Sequence, residues 1–145
     1  MQFIYSELFY VPVLFIQSAV GIAIAWYLHT SIRKNKNGTV WCVLGSHCKD
    51  VILSSYGRHF GVENEIVGIC YYIFLIFLGA MYFVTHLSFL VDCIALIALG
   101  AFLFSLYLLS LQIFVLRKYC FLCLCAIALN TLICFFTAWF AFRIF

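Results

Sequence analysis

The sequence predicts an all-α integral membrane protein, a four-transmembrane-helix bundle with one longer extramembrane loop between its first and second helices. Three observations lead there. Of the 145 residues, 68% are hydrophobic, 20% aromatic and only 9% charged, far from the balance of a water-soluble domain. The apolar residues fall into four runs, near Leu8–His29, Ile66–Thr85, Phe89–Leu116 and Cys120–Phe142, each close to the roughly 20 residues a helix needs to cross a hydrocarbon core of about 30 Å. The breaks between runs are short, apart from the one between about Ser31 and Glu65.

The first run is too long for a cleavable signal peptide and has neither a basic leading segment nor a small-residue cleavage pattern, so it is expected to stay in the chain. In the loop that follows, Arg33-Lys34-Asn35-Lys36-Asn37-Gly38 reads as a solvated turn. Thr85-His86-Leu87-Ser88 joins the second and third runs tightly, and Arg117-Lys118-Tyr119 joins the third and fourth. With no internal repeat, low-complexity tract or second domain, residues 1–145 read as one membrane domain. In lipid every backbone polar group needs an internal partner, so only helices or a closed barrel can span, and these runs are too long for barrel strands. The formal charge of +3 carries no nucleic-acid meaning in such a chain.

Chemistry concentrates in the eight cysteines. Cys120-Phe121-Leu122-Cys123 stands directly behind Arg117-Lys118, at the head of an uncharged run. A thiol at a helix N-terminus feels the positive end of the backbone dipole, which favours the thiolate, and thiolate is the species that exchanges disulfides. With four spans, the first and third connections share one side of the membrane, so Cys42 and Cys48 in the loop are expected on the same face as Cys120 and Cys123. Two such pairs can pass a disulfide between them through a mixed disulfide. Cys70, Cys93 and Cys134 read as small packing hydrophobes, and Cys125 falls on a different helix face from Cys123. A structural Cys42–Cys48 disulfide is the duller alternative in an oxidising compartment. Four thiolates with His47 or His59 as a zinc site is another, although Cys123 leads straight into an apolar helix where zinc knuckles usually turn. His47 and His59 read as solvated loop residues, while His29 and His86 mark the membrane boundary.

The order of these motifs resembles the vitamin K epoxide reductase family. It runs through Cys42-x5-Cys48, then Ser54-Ser55-Tyr56-Gly57-Arg58-His59-Phe60-Gly61, then Asn64-x3-Gly68 with Tyr72, and ends at Cys120-x2-Cys123, covering about Cys42 to Asn130. The DsbB family, also four-helix membrane disulfide catalysts, carries its C-x-x-C in the first connection, whereas here it is in the last. The resemblance implies a quinone (ubiquinone, menaquinone or a vitamin K type) held at the top of the bundle beside Cys120 and Cys123, with Cys123 nearest it. Cys42 and Cys48 would relay electrons from a thioredoxin-like protein, and Cys48 would exchange with Cys120. Asn64 and Ser54 would stabilise the reduced ring, since amide and hydroxyl donors in a dry pocket favour negative charge developing on its oxygens. Ser54 as the cap of a short helix is the competing role. Phe60, Tyr71, Tyr72 and Phe121 are candidate pocket aromatics.

Ile127 stands where the animal enzymes of that family have tyrosine, although Asn130 matches. The five residues separating Cys42 from Cys48 and the short Gly61-Val62-Glu63 passage before Asn64 resemble the prokaryotic branch, which implies disulfide formation coupled to quinone reduction rather than epoxide reduction. That branch often carries a fused thioredoxin domain; the chain ends at Phe145 without one, so a separate thioredoxin-like partner is expected. Orientation signals conflict. Arg33, Lys34, Lys36, Lys49, Arg58, Arg117 and Lys118 lie on the cysteine face and only Arg143 on the other. The positive-inside tendency therefore puts the cysteines in the cytoplasm, while the resemblance implies an extracytoplasmic or luminal face. A vitamin K epoxide reductase, a non-enzymatic structural membrane subunit and a zinc-binding membrane module are the alternative functions.

Overall fold

The computed structural model describes the backbone of residues 2–34 and 47–144, and the side chains of 8–31 and 47–143. Cys42, one of the four predicted exchange cysteines, lies outside the described residues. Helix α1 (Gln2–Tyr27) runs into a π-helical turn at Leu28–Lys34. After the loop come a short helix α2 (Cys48–Ile52), a 3₁₀ turn (Ser55–Gly57) and an antiparallel two-stranded ribbon of β1 (Arg58–His59) and β2 (Val62–Glu63). Three long helices complete the chain: α3 (Asn64–Thr85), α4 (Ser88–Ser110, extended by a π-helical segment Leu111–Leu116) and α5 (Phe121–Ile144).

Four helical stretches are long and apolar enough to cross a membrane, at Leu8–Ser31, Asn64–Thr85, Ser88–Leu116 and Phe121–Arg143. They fall within two residues of the predicted spans. Helix α1 packs on α3 and α4 on α5, with α1–α5 and α3–α4 contacts closing the ring. The outer faces carry fully apolar side chains such as Phe9, Leu96, Phe114 and Phe142, all at least 65% exposed. A surface this greasy is solvated by lipid rather than by water. The chain is an integral, multi-pass membrane protein.

Both short links close on residues in the left-handed region, His86 (φ 52°) and Arg117 (φ 49°). That conformation is uncommon outside glycine, and at His86 it caps α3 through the His86 N–H to the Tyr82 carbonyl at 2.8 Å. The tight α3–α4 link leaves almost no polar chain on the side opposite the loop.

The interior divides into two apolar clusters. The larger is built on Tyr10, Leu14, Tyr72, Leu75, Tyr82, Ile94 and Phe140, where Tyr10 stacks flat on Phe140 at 4.0 Å. The smaller gathers Leu28, Val51 and Ile52 around Cys48 and Cys120, beneath the loop. A cavity of about 360 Å³ lies between them, lined by members of both. Gly21 is what lets Tyr72 close the deep end of it, since a Cβ at that position would sit 2.3 Å from the Tyr72 ring.

Candidate active site

Cys120 immediately precedes α5 and acts as its cap. The Leu124 N–H donates to the Cys120 carbonyl at 3.0 Å, the first turn of the helix, and the Cys123 N–H donates to Cys120 Sγ at 3.2 Å. One of the four N–H groups orphaned at a helix start is thus satisfied by sulfur instead of the usual oxygen. Cys120 is fully buried, and Cys120 and Cys123 are free thiols. The side-chain hydrogen bond with Cys123 does most to hold the Cys120 thiol below its ordinary 9.0; burial opposes it, the N–H groups of Cys123 and Leu122 assist, and the charge of Glu65 opposes. Cys120 is therefore the better thiolate leaving group in an exchange.

The Cys120 N–H itself donates to Gln112 Oε1 at 3.1 Å, and Gln112 is only 3% exposed. Substituting Gln112→Leu leaves that buried N–H without an acceptor, which should cost about 1–3 kcal/mol. The loss is expected as a lower thermal midpoint in detergent, with Gln112→Glu, which keeps an acceptor oxygen, recovering most of it.

The loop is docked against this turn. The His47 N–H donates to the Tyr119 carbonyl at 2.8 Å, and Lys118 Nζ pairs with Asp50 Oδ2 at 2.9 Å. Cys48, disulfide-bonded and 1% exposed, is thereby held in the same buried cluster as Cys120, with Cys123 packed against it. The Lys118 hydrogen bond and charge pull the Asp50 carboxyl below its ordinary 3.8. A group lowered on docking stabilises above its free value and loses that contribution as pH falls through the lowered one. At one fixed neutral pH, Asp50→Asn should therefore speed the alkylation of Cys48 after mild reduction relative to the unsubstituted protein.

A second set of contacts fixes Asn64, the first residue of α3. Its Nδ2 donates to the Tyr56 carbonyl at 3.0 Å, and its Oδ1 lies 2.9 Å from His59 Nδ1. A carbonyl only accepts, so the amide orientation follows, and His59 Nδ1 must carry the hydrogen. His59 Nε2 then faces the Tyr107 hydroxyl at 3.4 Å, and its ring lies edge-on to Phe104 and Tyr107. The expectation of a solvated His59 is corrected: the ribbon folds this side chain back onto α4. Glu63 anchors the ribbon, pairing with Arg58 Nη2 at 2.9 Å, with His29 Nδ1 also 2.9 Å from its other oxygen.

Asn64 and Cys123 both line the cavity, as do Glu65, Gln112, Tyr71, Tyr72, Ser105 and Asn130. The N-terminal ends of α3 and α5 thus converge on it, and helix N-termini favour negative charge. Its remaining wall is apolar, with the small residues Gly68, Gly100, Ala101 and Ala126 set among larger ones such as Ile97, Phe104 and Leu108. Space beside Gly100 is open, with no atom within 4 Å of where a Cβ would be.

Compared with known protein families, residues 12–138 match the model of the vitamin K epoxide reductase family. The chain belongs to that family. Its members are membrane thiol–disulfide and quinone oxidoreductases, and at that level the chain is a redox enzyme of the membrane. A search of curated proteins returned no match.

Within this vitamin K epoxide reductase fold, Cys48, Cys120 and Cys123 come together and Asn64 reaches the same cavity as Cys123. Ser54 is not among the described residues lining that cavity; its hydroxyl donates to the Val51 carbonyl at 2.6 Å. It precedes the 3₁₀ turn but makes no side-chain cap bond there. Of the four candidate aromatics, Tyr71 and Tyr72 line the cavity, whereas Phe60 is fully exposed at the ribbon tip, with φ 53°. Glu65, Ser105 and Gln112 went unread in the sequence. Each is a polar residue in or at the edge of an apolar span, which is itself a signal of function in a membrane protein.

Proposed function

We propose that this protein passes electrons from a separate thioredoxin-like protein through Cys42 and Cys48 to Cys120 and Cys123, and from there to a membrane quinone, driving disulfide formation in the partner. The observation that carries the reading is the placement of the C-x-x-C pair: Cys120 is buried beside disulfide-bonded Cys48, and Cys123 opens on the cavity. One thiol faces the exchange partner and the other faces the acceptor site.

A partner thiolate attacks the Cys42–Cys48 bond and, after resolution, leaves as a disulfide, with both loop cysteines reduced. Cys48 thiolate then attacks Cys120 of an oxidised Cys120–Cys123 pair, releasing Cys123 as thiolate. Cys42 attacks Cys48, re-forms the loop disulfide and expels Cys120, the thiol whose lowered pKa suits it to leaving. A quinone supplies, when bound, the sink for two electrons and two protons. Cys120 and Cys123 give up that pair on closing their bond. Asn64 has one N–H committed to Tyr56 and a second for an acceptor oxygen in the cavity. The cavity volume falls within the range of small-molecule sites, and its lining is mostly apolar with a few placed polar groups, as such sites are.

Anaerobic incubation of purified protein with a dithiol and a short-chain quinone should produce hydroquinone, and a reduced thioredoxin-like protein should replace the dithiol. Turnover of a vitamin K epoxide in place of quinone would move the assignment to epoxide reduction; no turnover of either would end it. Gly100→Leu places a side chain in the open space beside α4 and is expected to weaken quinone binding about tenfold or more, with the melting temperature little changed.

A further inference from the structure

Among the described residues lining the cavity, Glu65 is the only acid, and no histidine, lysine or arginine joins it. The other titratable side chains there are Tyr56 from the loop, Tyr71 and Tyr72 from α3 and Cys123 from α5, with none from α1 or α4. Glu65 is only 7% exposed. An acid in the first turn of a helix is favoured by the backbone dipole on any face, and water solvates it best on the outer one. Burial in an apolar wall at the head of a membrane span costs free energy, so an ionisable group held there points to a function.

A hydrogen bond two turns deeper fixes what Glu65 faces. Helices α3 and α5 both begin at the loop end of the bundle and run in the same direction. Tyr72 of α3 and Asn130 of α5 meet at the cavity, hydroxyl to Oδ1, at 2.7 Å. Glu65 and Cys123 each stand seven residues nearer the loop on those two helices, which is two turns or about 10 Å. Positions seven apart share a helix face. Carboxyl and sulfur therefore lie at one level and look into the same space, and the Glu65 charge bears on both Cys120 and Cys123.

Closing the Cys120–Cys123 bond on a quinone breaks two S–H bonds and makes two O–H bonds on the ring, while two electrons pass from sulfur to the ring. Asn64 can hold the charge that develops on oxygen, but an amide does not give up its proton, so a separate carrier is required. We propose that Glu65 is that carrier: its carboxylate takes a proton from the Cys120/Cys123 dithiol and, as the acid, gives it to a ring oxygen, once for each O–H bond. The carboxylate ends the turnover as it began. A Glu65 acting by charge alone would do the opposite, opposing thiolate formation at Cys120 and slowing the reaction. Removing the charge thus separates the two roles by sign. The inference rests on the quinone reading of the cavity.

The test uses the full chain in detergent, reduced with dithiothreitol, freed of excess reagent and mixed with menadione, a 1,4-naphthoquinone, while hydroquinone formed in a single turnover is followed by absorbance. Glu65→Gln keeps the shape and loses the transferable proton, and is expected to slow this step about a hundredfold or more. Glu65→Asp is expected to restore most of the rate. Two readouts do not depend on turnover. In Glu65→Gln, menadione affinity by calorimetry on the oxidised protein is expected to change less than about twofold. Alkylation of Cys120 by iodoacetamide at one pH, read by peptide mass spectrometry, is expected to hold or rise as the opposing charge goes. A Glu65→Gln rate equal to or above wild type would overturn the proposal, as would a loss of menadione affinity or of Cys120 alkylation in parallel with the rate. In each of those cases wild-type turnover stands, and only this inference falls. If the wild-type protein neither binds nor reduces menadione, the quinone reading falls with it.

Discussion

Cys123→Ala is expected to abolish hydroquinone formation, by more than about a thousandfold, with any dithiol donor. Removing a residue that enters covalent chemistry acts on that scale because no neighbouring group can replace it. Cys123 is the member of the C-x-x-C pair that lines the cavity, whereas Cys120 is sealed beneath the loop against Cys48. Cys120→Ala is expected to be equally inactive, since no second sulfur would remain to close the bond. Cys42→Ala should behave differently: a small dithiol can still reduce the C-x-x-C pair, but relay from a protein partner is lost. Full turnover in a Cys123→Ala protein would remove that residue from the mechanism.

Asn64→Ala should lower quinone reduction by about a hundred- to a thousandfold, the range found when a preorganised donor to a developing oxyanion is deleted. The donor here is held at both ends, by the Tyr56 carbonyl and by His59. His59→Ala leaves the amide present but free to rotate, so a smaller loss, of about tenfold, is expected. Asn64→Asp is the sharper test, because it keeps the shape, removes the donor and sets a second acceptor against the Tyr56 carbonyl. Activity close to wild type in Asn64→Asp would exclude the amide as the stabilising group.

The bundle was legible because lipid imposes a single rule on length and polarity, and the four runs obeyed it almost to the residue. Convergence of Cys48 and Cys120 on one side followed from the parity of the spans, before any coordinate was known. What the sequence concealed is local. The side-chain contacts that orient Asn64 come from a ribbon of two residues per strand, too short to show any alternation. His59 lies among charged and aromatic loop residues and carries no sign that it will fold back onto Phe104. The Gln112 side chain finds its partner outside its own helix, a backbone N–H eight residues on, across a turn set by Arg117 in the left-handed region. Such contacts depend on how two helix ends meet, which neither periodicity nor composition encodes.

The sulfur that caps α5 ties oxidation state to backbone strength at one amide. While Cys120 carries a thiolate, its charge holds the hydrogen of residue 123; once that atom is bonded to another sulfur the charge is gone, the acceptor is weaker and the first turn of α5 is expected to loosen. Deuterium uptake at this single position will therefore rise on oxidation and fall on reduction, so the protein carries its own label-free gauge of electron loading.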